Sequence, residues 1–386
     1  MAKSYMIRLS GYIALILFIA SFYLAVRSPT LNKIFDGLQR QLRWHHWIAM
    51  IFVAMMMYHL GQLFWSYRGH FELIFDWSDL ALLSGWITFV GVILASLLAF
   101  YRLQIPYRRW RRIHILTSLC LITALLHTVL LLAPYNVAEW LIFVSLGILG
   151  LIALLLAVIL PVFSFWGKKY LISKVCEVRP GLFLLQLQSN EPKHFHFDPG
   201  HFMYLKFLSS NLSYIWHPFT IISRPSEPFI ELFIKARGKD TGQLNTISLP
   251  GSVRVLAPFG TSFWKTDQTQ LWIAYGVGAA IFLAAIRSFP SSFRKKIHFI
   301  CCDSSASKMF FSEELDDCMQ QHLNFTWESY IGSGQQFIAE FSGKPFDSTN
   351  FEKFRICGHP GFQKNLKSLL ISRGVQRHNI KLEGLL

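Results

Sequence analysis

Five histidines lie inside two stretches that are otherwise almost wholly apolar. Residues 44–59 read WHHWIAMIFVAMMMYH and carry His45, His46 and His59, and residues 113–127 read IHILTSLCLITALLH and carry His114 and His127. Ionisable side chains within an apolar span are costly and mark function by default. One such histidine alone reads as a hydrogen-bonded packing residue, but a matched pair on each of two helices argues for ligation. At about 1.5 Å per residue, the rise from His45 to His59 is about 21 Å and that from His114 to His127 about 20 Å. Helices separated by one span run parallel, so His45 comes level with His114, and His59 with His127. Two levels of facing imidazoles suit two stacked bis-histidine haems, a site type built inside helix bundles. His46 competes with His45. At about 100° per residue, fourteen steps return to within about 40° of the starting face while thirteen miss by about 140°, which favours His45 as the partner of His59. The same arithmetic separates His114 from His127 on a straight helix, so a kink or π-bulge is required between them, and the sequence shows none. Phe52, midway between His45 and His59, fits either a spacer between two ligands or an ordinary core position.

The spans that must carry these histidines dominate the first part of the chain. Of 386 residues, 53% are hydrophobic, 16% aromatic and only 15% charged, against about a quarter charged in soluble domains. That balance excludes a disordered chain and argues against a wholly soluble one. Five stretches lack Lys, Arg, Asp and Glu: 9–26, 44–67, 80–101, 113–138 and 140–167. Each reaches the length a helix needs to cross a bilayer. The first, led by Lys3 and Arg8, has features of a signal peptide but no clear A-x-A cleavage site, and is read as a retained span.

Five spans put Arg27, Lys33, Arg40, Arg43, the run from Arg102 to Arg112, and Lys168 and Lys169 on one face. The positive-inside rule makes that face cytoplasmic. The expectation is a multi-pass protein of the cell (inner) membrane with its N-terminus outside and everything after residue 167 in the cytoplasm. The net charge of +15 is spread over both parts, 12 basic residues against 5 acidic in 1–166 and 25 against 17 beyond, so it implies lipid rather than nucleic acid as a partner. Six cysteines without a CxxC give neither a disulfide framework nor a thiolate zinc site.

From about residue 168 the texture changes. FLLQLQ (183–188), HFMYLKF (201–207), FIELFIKA (229–236) and SVRVLAP (252–258) read as short strands of an antiparallel barrel or sandwich. After 265, LWIAYGVG, KIHFICC, NFTWES and KFRICG alternate with helical segments, which implies a parallel sheet with ligands at its strand C-termini. Three places there could carry chemistry. HPFTIISRP (217–225) presents a ring and a hydroxyl on a stiff backbone. KARGKDTGQL (235–244) could bring backbone N–H groups to a phosphate. AYGVGAA (274–280) sits at a strand-to-helix turn, where Gly276 and Gly278 allow close approach of a pyrophosphate.

In this order the segments resemble the ferric reductase and NADPH oxidase superfamily, including its bacterial members. The likeness covers nearly the whole chain and rests on the two His pairs, WRRIH before the fourth span, HPFT, APFG at 257–260, the Gly276–Gly278 turn, CGHP at 357–360 and the final EGLL. It implies a multi-domain membrane protein: an all-α transmembrane haem bundle (1–167), an antiparallel β-barrel FAD domain (168–265) and a ferredoxin-reductase-like α/β nucleotide-binding domain (266–386). It implies two haems b, on His45/His114 and His59/His127. It assigns His217, Pro218, Phe219, Thr220, Lys235, Gly238, Thr241 and Gly242 to FAD, and Gly276, Gly278, Cys357, Gly358 and Leu385 to NAD(P)H. Electrons would pass from cytoplasmic NAD(P)H through FAD and the haems to oxygen or ferric iron outside. Any accessory protein stays unassigned.

The chain departs from the family pattern at Ala280-Ile281 in place of Thr-Pro, at an inserted His359, and at Leu385 where an aromatic often ends the chain. It also reads Cys302-Asp303-Ser304-Ser305 where an Arg often selects a 2′-phosphate. NADH is therefore expected to serve at least as well as NADPH. The competing readings are a quinone-linked or partner-linked haem subunit with a degenerate nucleotide domain, and a non-catalytic scaffold, which the paired histidines disfavour. Arg68 and His70 stand as candidates for attracting an anion outside.

Overall fold

The computed structural model describes residues 2–35, 37–105, 107–131, 137–159, 167–189, 196–208, 216–236, 238, 241–262, 268–304, 309 and 311–384. They fall into two units, Met1–Trp166 and Gly167–Leu386.

The first unit is helical: α1 (Ala2–Ala25), α2 (Pro29–Ile34), α3 (Leu38–Ser66), α4 (Leu80–Phe100), α5 (Tyr107–Ile115), α6 (Thr117–Leu131) and α7 (Val137–Leu154). Five segments are long and apolar enough to cross a membrane: Tyr5–Ala25, Leu38–Ser66, Leu80–Phe100, Arg109–Leu131 and Glu139–Ile159. Large apolar side chains such as Trp47, Ile87, Leu119 and Leu151 point outward unburied, as lipid-facing side chains do and water-facing ones rarely do. Inside, α1 packs along α3 and α4 along α6. The core gathers Leu15, Phe18, Ile19, Phe52, Met56, Val92 and Leu121. Phe52 stacks on Phe18 with centroids 4.3 Å apart. The Asp79 carboxylate starts α4 by accepting from the N–H groups of Ala81 and Leu82 at 2.7 and 3.3 Å, the usual remedy for orphan donors at a helix start.

The second unit opens with a six-stranded antiparallel sheet built from β1 (Lys168–Arg179), β2 (Leu182–Ser189), β3 (Phe202–Phe207), β4 (His217–Thr220), β5 (Ile230–Lys235) and β6 (Gly251–Phe259). The order is β4-β3-β6-β1-β2-β5. A bridge between Ile221 and Leu232 brings the two edges nearly together, so the sheet is an almost closed barrel around Tyr170, Ile172, Leu185, Met203, Leu205, Leu232 and Val253. Two strands escape the sequence reading. In β1, the buried Tyr170 and Ile172 are masked by surrounding lysines. In β4, Pro218 argues against a strand, yet an edge strand tolerates it.

Five parallel strands follow, β7 (Gln270–Tyr275), β8 (Ile297–Asp303), β9 (Phe325–Ile331), β10 (Lys353–Cys357) and β11 (Ile380–Glu383), in the order β11-β10-β7-β8-β9. Helices α8 (Ala280–Ile286), α9 (Ser312–Gln321), α10 (Gly334–Gly343) and α11 (Pro360–Ser372) connect them. The first five residues of β7 are buried, the mark of a strand covered on both faces. The chain leaves β7 toward β8 and β9, then returns to β7's other side as β10. The carboxyl ends of β7 and β10 therefore flank the switch point where such sheets form their ligand crevice.

Arg287, at the end of α8, ties barrel to sheet. Its guanidinium donates to Glu314 at 2.5 and 3.0 Å and to the Ile222 carbonyl at 3.1 Å, and stands 3.6 Å from Glu231. Burial pushes the Glu231 carboxyl above its ordinary range, and Arg287 opposes that shift.

Candidate functional site

In the helical unit the histidines form two groups. His45, from α3, and His114, from α5, bring their ring centroids to 6.3 Å with planes at 89°. His59, from α3, and His127, from α6, line one cavity of about 210 Å³ whose walls include Leu60, Leu63, Trp86 and Phe89. His46 is exposed. The irregularity that the His114–His127 spacing demands is present: α5 ends at Ile115, α6 begins at Thr117, and the Thr117 hydroxyl donates to the His114 carbonyl at 2.6 Å.

Three of the four rings are aimed by backbone carbonyls of another helix. Nδ1 of His45 lies 2.8 Å from the Ser21 carbonyl, that of His59 3.0 Å from the Ile7 carbonyl, and that of His127 2.7 Å from the Ala81 carbonyl. A carbonyl only accepts, so each Nδ1 carries the proton and Nε2 keeps its lone pair for a metal. The Ser10 hydroxyl also lies 3.2 Å from His59 Nδ1. His114 instead stacks on Trp110, with centroids 4.9 Å apart.

Two glycines give the rings room. A Cβ on Gly11 would stand 3.2 Å from His59, and one on Gly85 2.7 Å from His127. At the His59–His127 level, aimed imidazoles, glycine clearance and apolar walls fit a haem held between two histidines, and the facing rings of His45 and His114 are spaced to hold another. Arg8, whose guanidinium lies 4.0 Å from Glu139, lines the cavity. Arg68 and His70 are not among its lining residues; Arg68 lies over Trp65 at 4.5 Å and His70 is 3.2 Å from Glu72.

In the second unit, HPFT is strand β4, paired residue by residue with β3. Pro218 and Thr220 share a narrow crevice of about 20 Å³ with Gly200, Phe202, Gly278, Ile281, Cys357 and Gly384. The barrel motif thus meets the ends of β7 and β10. Gly276 has φ +61, the left-handed region glycine tolerates. A Cβ on Gly278 would stand 3.0 Å from the backbone of Cys357 and Gly358, so a glycine here lets the two turns pack closely. Such bare backbone suits a nucleotide phosphate. Burial pushes the Cys357 thiol well above its ordinary range, which makes it a wall rather than a nucleophile.

Not every residue expected to bind FAD or nucleotide converges on that crevice. Lys235 ends β5; Gly238 donates to the Thr241 hydroxyl at 3.2 Å, and Gly242 to the Gly238 carbonyl at 2.9 Å. Lys235, Gly238, Thr241 and Gly242 do not line the crevice. Leu385 lies outside the described residues. Gly11, Gly85 and the carbonyl partners were not anticipated; a glycine on a neighbouring span was the available signal.

Residues 10–125 match the family described as ferric reductase like transmembrane component, and residues 178–280 match the FAD-binding domain family. Among curated proteins, the chain is 26% identical over 224 residues to a Na(+)-translocating NADH-quinone reductase component of Mannheimia succiniciproducens, covering 50% of this chain and 54% of that one. It is 26% identical over 165 residues to a superoxide-generating NADPH oxidase heavy chain of Dictyostelium discoideum, covering 34% and 32%. A second NADPH oxidase heavy chain of the same organism is 29% identical over 144 residues, covering 31% and 20%. The chain therefore spans about half, or less, of these relatives' lengths. Among solved structures, the flavohem-like FAD/NAD-binding domain of nitric oxide dioxygenase from Vibrio cholerae O1 biovar El Tor aligns with 56% of this chain and 97% of its own, at 15% identity and a TM-score of 0.49.

Proposed function

We propose that this chain, a multi-pass membrane protein and a member of the ferric reductase and NADPH oxidase superfamily, carries electrons from cytoplasmic NAD(P)H through FAD and two b-type haems to an acceptor on the outer face. Oxygen and a ferric chelate are the two acceptor classes. The reading is supported above all by the paired imidazoles, three of them aimed by a backbone carbonyl. His45 and His114 would hold the inner haem, and His59 and His127 the outer one. His217, Pro218, Phe219 and Thr220 would hold the flavin, with Lys235, Gly238, Thr241 and Gly242 toward its phosphates. Gly276, Gly278, Cys357, Gly358 and Leu385 would take the nicotinamide nucleotide. The FAD and nucleotide domains would divide near residue 265.

When bound, these groups split a two-electron hydride donor into single-electron transfers across the span. The chain's own contribution is geometric and electrostatic. The carbonyl-to-Nδ1 bonds fix the tautomers of His45, His59 and His127. The largely apolar cavity walls would keep the His59–His127 level in a low-dielectric setting. Gly278 lets the β7 and β10 turns close on a dinucleotide. Asp303, at the end of the second parallel strand, disfavours a 2′-phosphate, so NADH should serve at least as well as NADPH. Stopped-flow flavin reduction much faster with NADPH would contradict this.

The deciding experiment is anaerobic titration of the purified protein with NADH and NADPH, with product trapping after air or a ferric chelate is added. Bound FAD, a b-type Soret band and haem reduction by the nucleotide are expected. Haem without flavin would favour a partner- or quinone-linked haem subunit instead. A colourless preparation from cells well supplied with haem would overturn both readings.

A further inference from the structure

A second largely buried ion pair joins barrel to sheet, and it ends beside the Gly276 turn. Arg179 closes β1 next to a β-bulge, where the register against β2 slips between Glu177 and Arg179. Bulges re-aim side chains at functional edges. Its Nη1 stands 3.6 Å from Oδ2 of Asp303, the last residue of β8, and the two side chains are 11% and 10% exposed. Asp303 Oδ1 accepts from the backbone N–H of Ser304 at 2.7 Å and from its hydroxyl at 3.3 Å. Oδ2 lies 4.0 Å from the place a Cβ would take on Gly276. The carboxylate therefore borders the glycine turn, at the strand end where an acidic group meets the adenosine ribose in doubly wound sheets.

We infer that Arg179, a residue of the barrel, sets the coenzyme preference by acting through Asp303. This rests on the nicotinamide-nucleotide reading of the crevice. Asp303 accepts from the ribose 2′-hydroxyl and repels a 2′-phosphate. Arg179, 3.6 Å from Oδ2, holds the carboxylate turned toward the turn. With asparagine in place of Asp303, the same guanidinium becomes a bidentate partner for a 2′-phosphate. Arg179 is thus a positioning residue in the native chain and a latent phosphate ligand, and coenzyme choice depends on a contact between flavin barrel and nucleotide sheet.

The test measures flavin reduction by NADH and NADPH in the purified full-length protein with FAD bound. It compares the native chain with Asp303→Asn, Arg179→Gln, Arg179→Lys and the Asp303→Asn/Arg179→Gln double variant. Asp303→Asn should raise the NADPH-to-NADH ratio of kcat/KM by about tenfold or more, and the double variant should lose that gain. Arg179→Gln should weaken NADH binding while the limiting reduction rate stays within about twofold, and Arg179→Lys should restore part of the affinity. Calorimetric binding of adenosine 2′,5′-bisphosphate against AMP should show the same order without flavin turnover. A gain that survives in the double variant, or changes equal for both coenzymes, overturns the inference alone. Flavin reduced by neither coenzyme in the native chain overturns the nucleotide reading and the inference together.

Discussion

In the helical unit the proposed chemistry rests on side chains that are present: imidazoles of α3 and α6 held by carbonyls of α1 and α4, with Trp110 stacked on His114. In the barrel-and-sheet unit it is carried by side chains that are missing. Gly276 permits the turn, and Gly278 leaves only 3.0 Å between its would-be Cβ and the next backbone. A site made of donors fails when a group is removed. A site made of clearance fails when a group is added. The two halves should therefore answer opposite kinds of substitution.

The largest expected effect tests the donor side. His59→Ala should remove the haem at the His59–His127 level, halving haem per FAD by pyridine haemochrome assay, while the haem at His45 and His114 stays reducible. Both haems at full content would refute the ligand assignment.

Next, Gly278→Val should block the crevice. Flavin reduction by NADH should fall by about 10²-fold, as misplacement of about 1 Å does, with haem content and dithionite reduction unchanged. A normal rate would mean that the dinucleotide binds elsewhere.

Gly85→Ala crosses the two categories, because it adds a group inside the donor site. With 2.7 Å available before His127, overpacking should cost about 1–3 kcal/mol, read as a lower Tm and partial loss of that haem. Gly61→Ala, with nothing within 4 Å, is the control and should gain up to about 1 kcal/mol from helix propensity. Equal behaviour of the two variants would erase the distinction.

The smallest effect is Ser10→Ala. The Ile7 carbonyl still holds His59, so the loss should be about 1 kcal/mol, with a shift in the potential of the haem at that level only. A shift at the other level would show that the rings are not separately held.

What could be read from the sequence follows the same division. The histidines stood out because residue type at helical spacing is a local signal. The five spans, the barrel and the parallel sheet were legible for the same reason, since apolar run length and alternation are local. The break at Leu116 was not, because Thr117 bonding the His114 carbonyl is one option among several for that hydroxyl. Strand β11 and helix α10 were too short or too polar to stand out, although Ser333 and Gln336 do form a capping box. The Arg179–Asp303 contact joins residues far apart in the chain, and only the bulge in β1 and the end of β8 bring them together.

The interruption at Leu116 also changes how the two histidine levels can evolve. On an unbroken rod, turning one ring toward its partner swings the other by a fixed amount, so α3 gears His45 to His59. On the opposite side the gear is cut: His114 rides on α5 and His127 on α6. Substitutions on either short rod can adjust the azimuth of one level and leave its neighbour where it was.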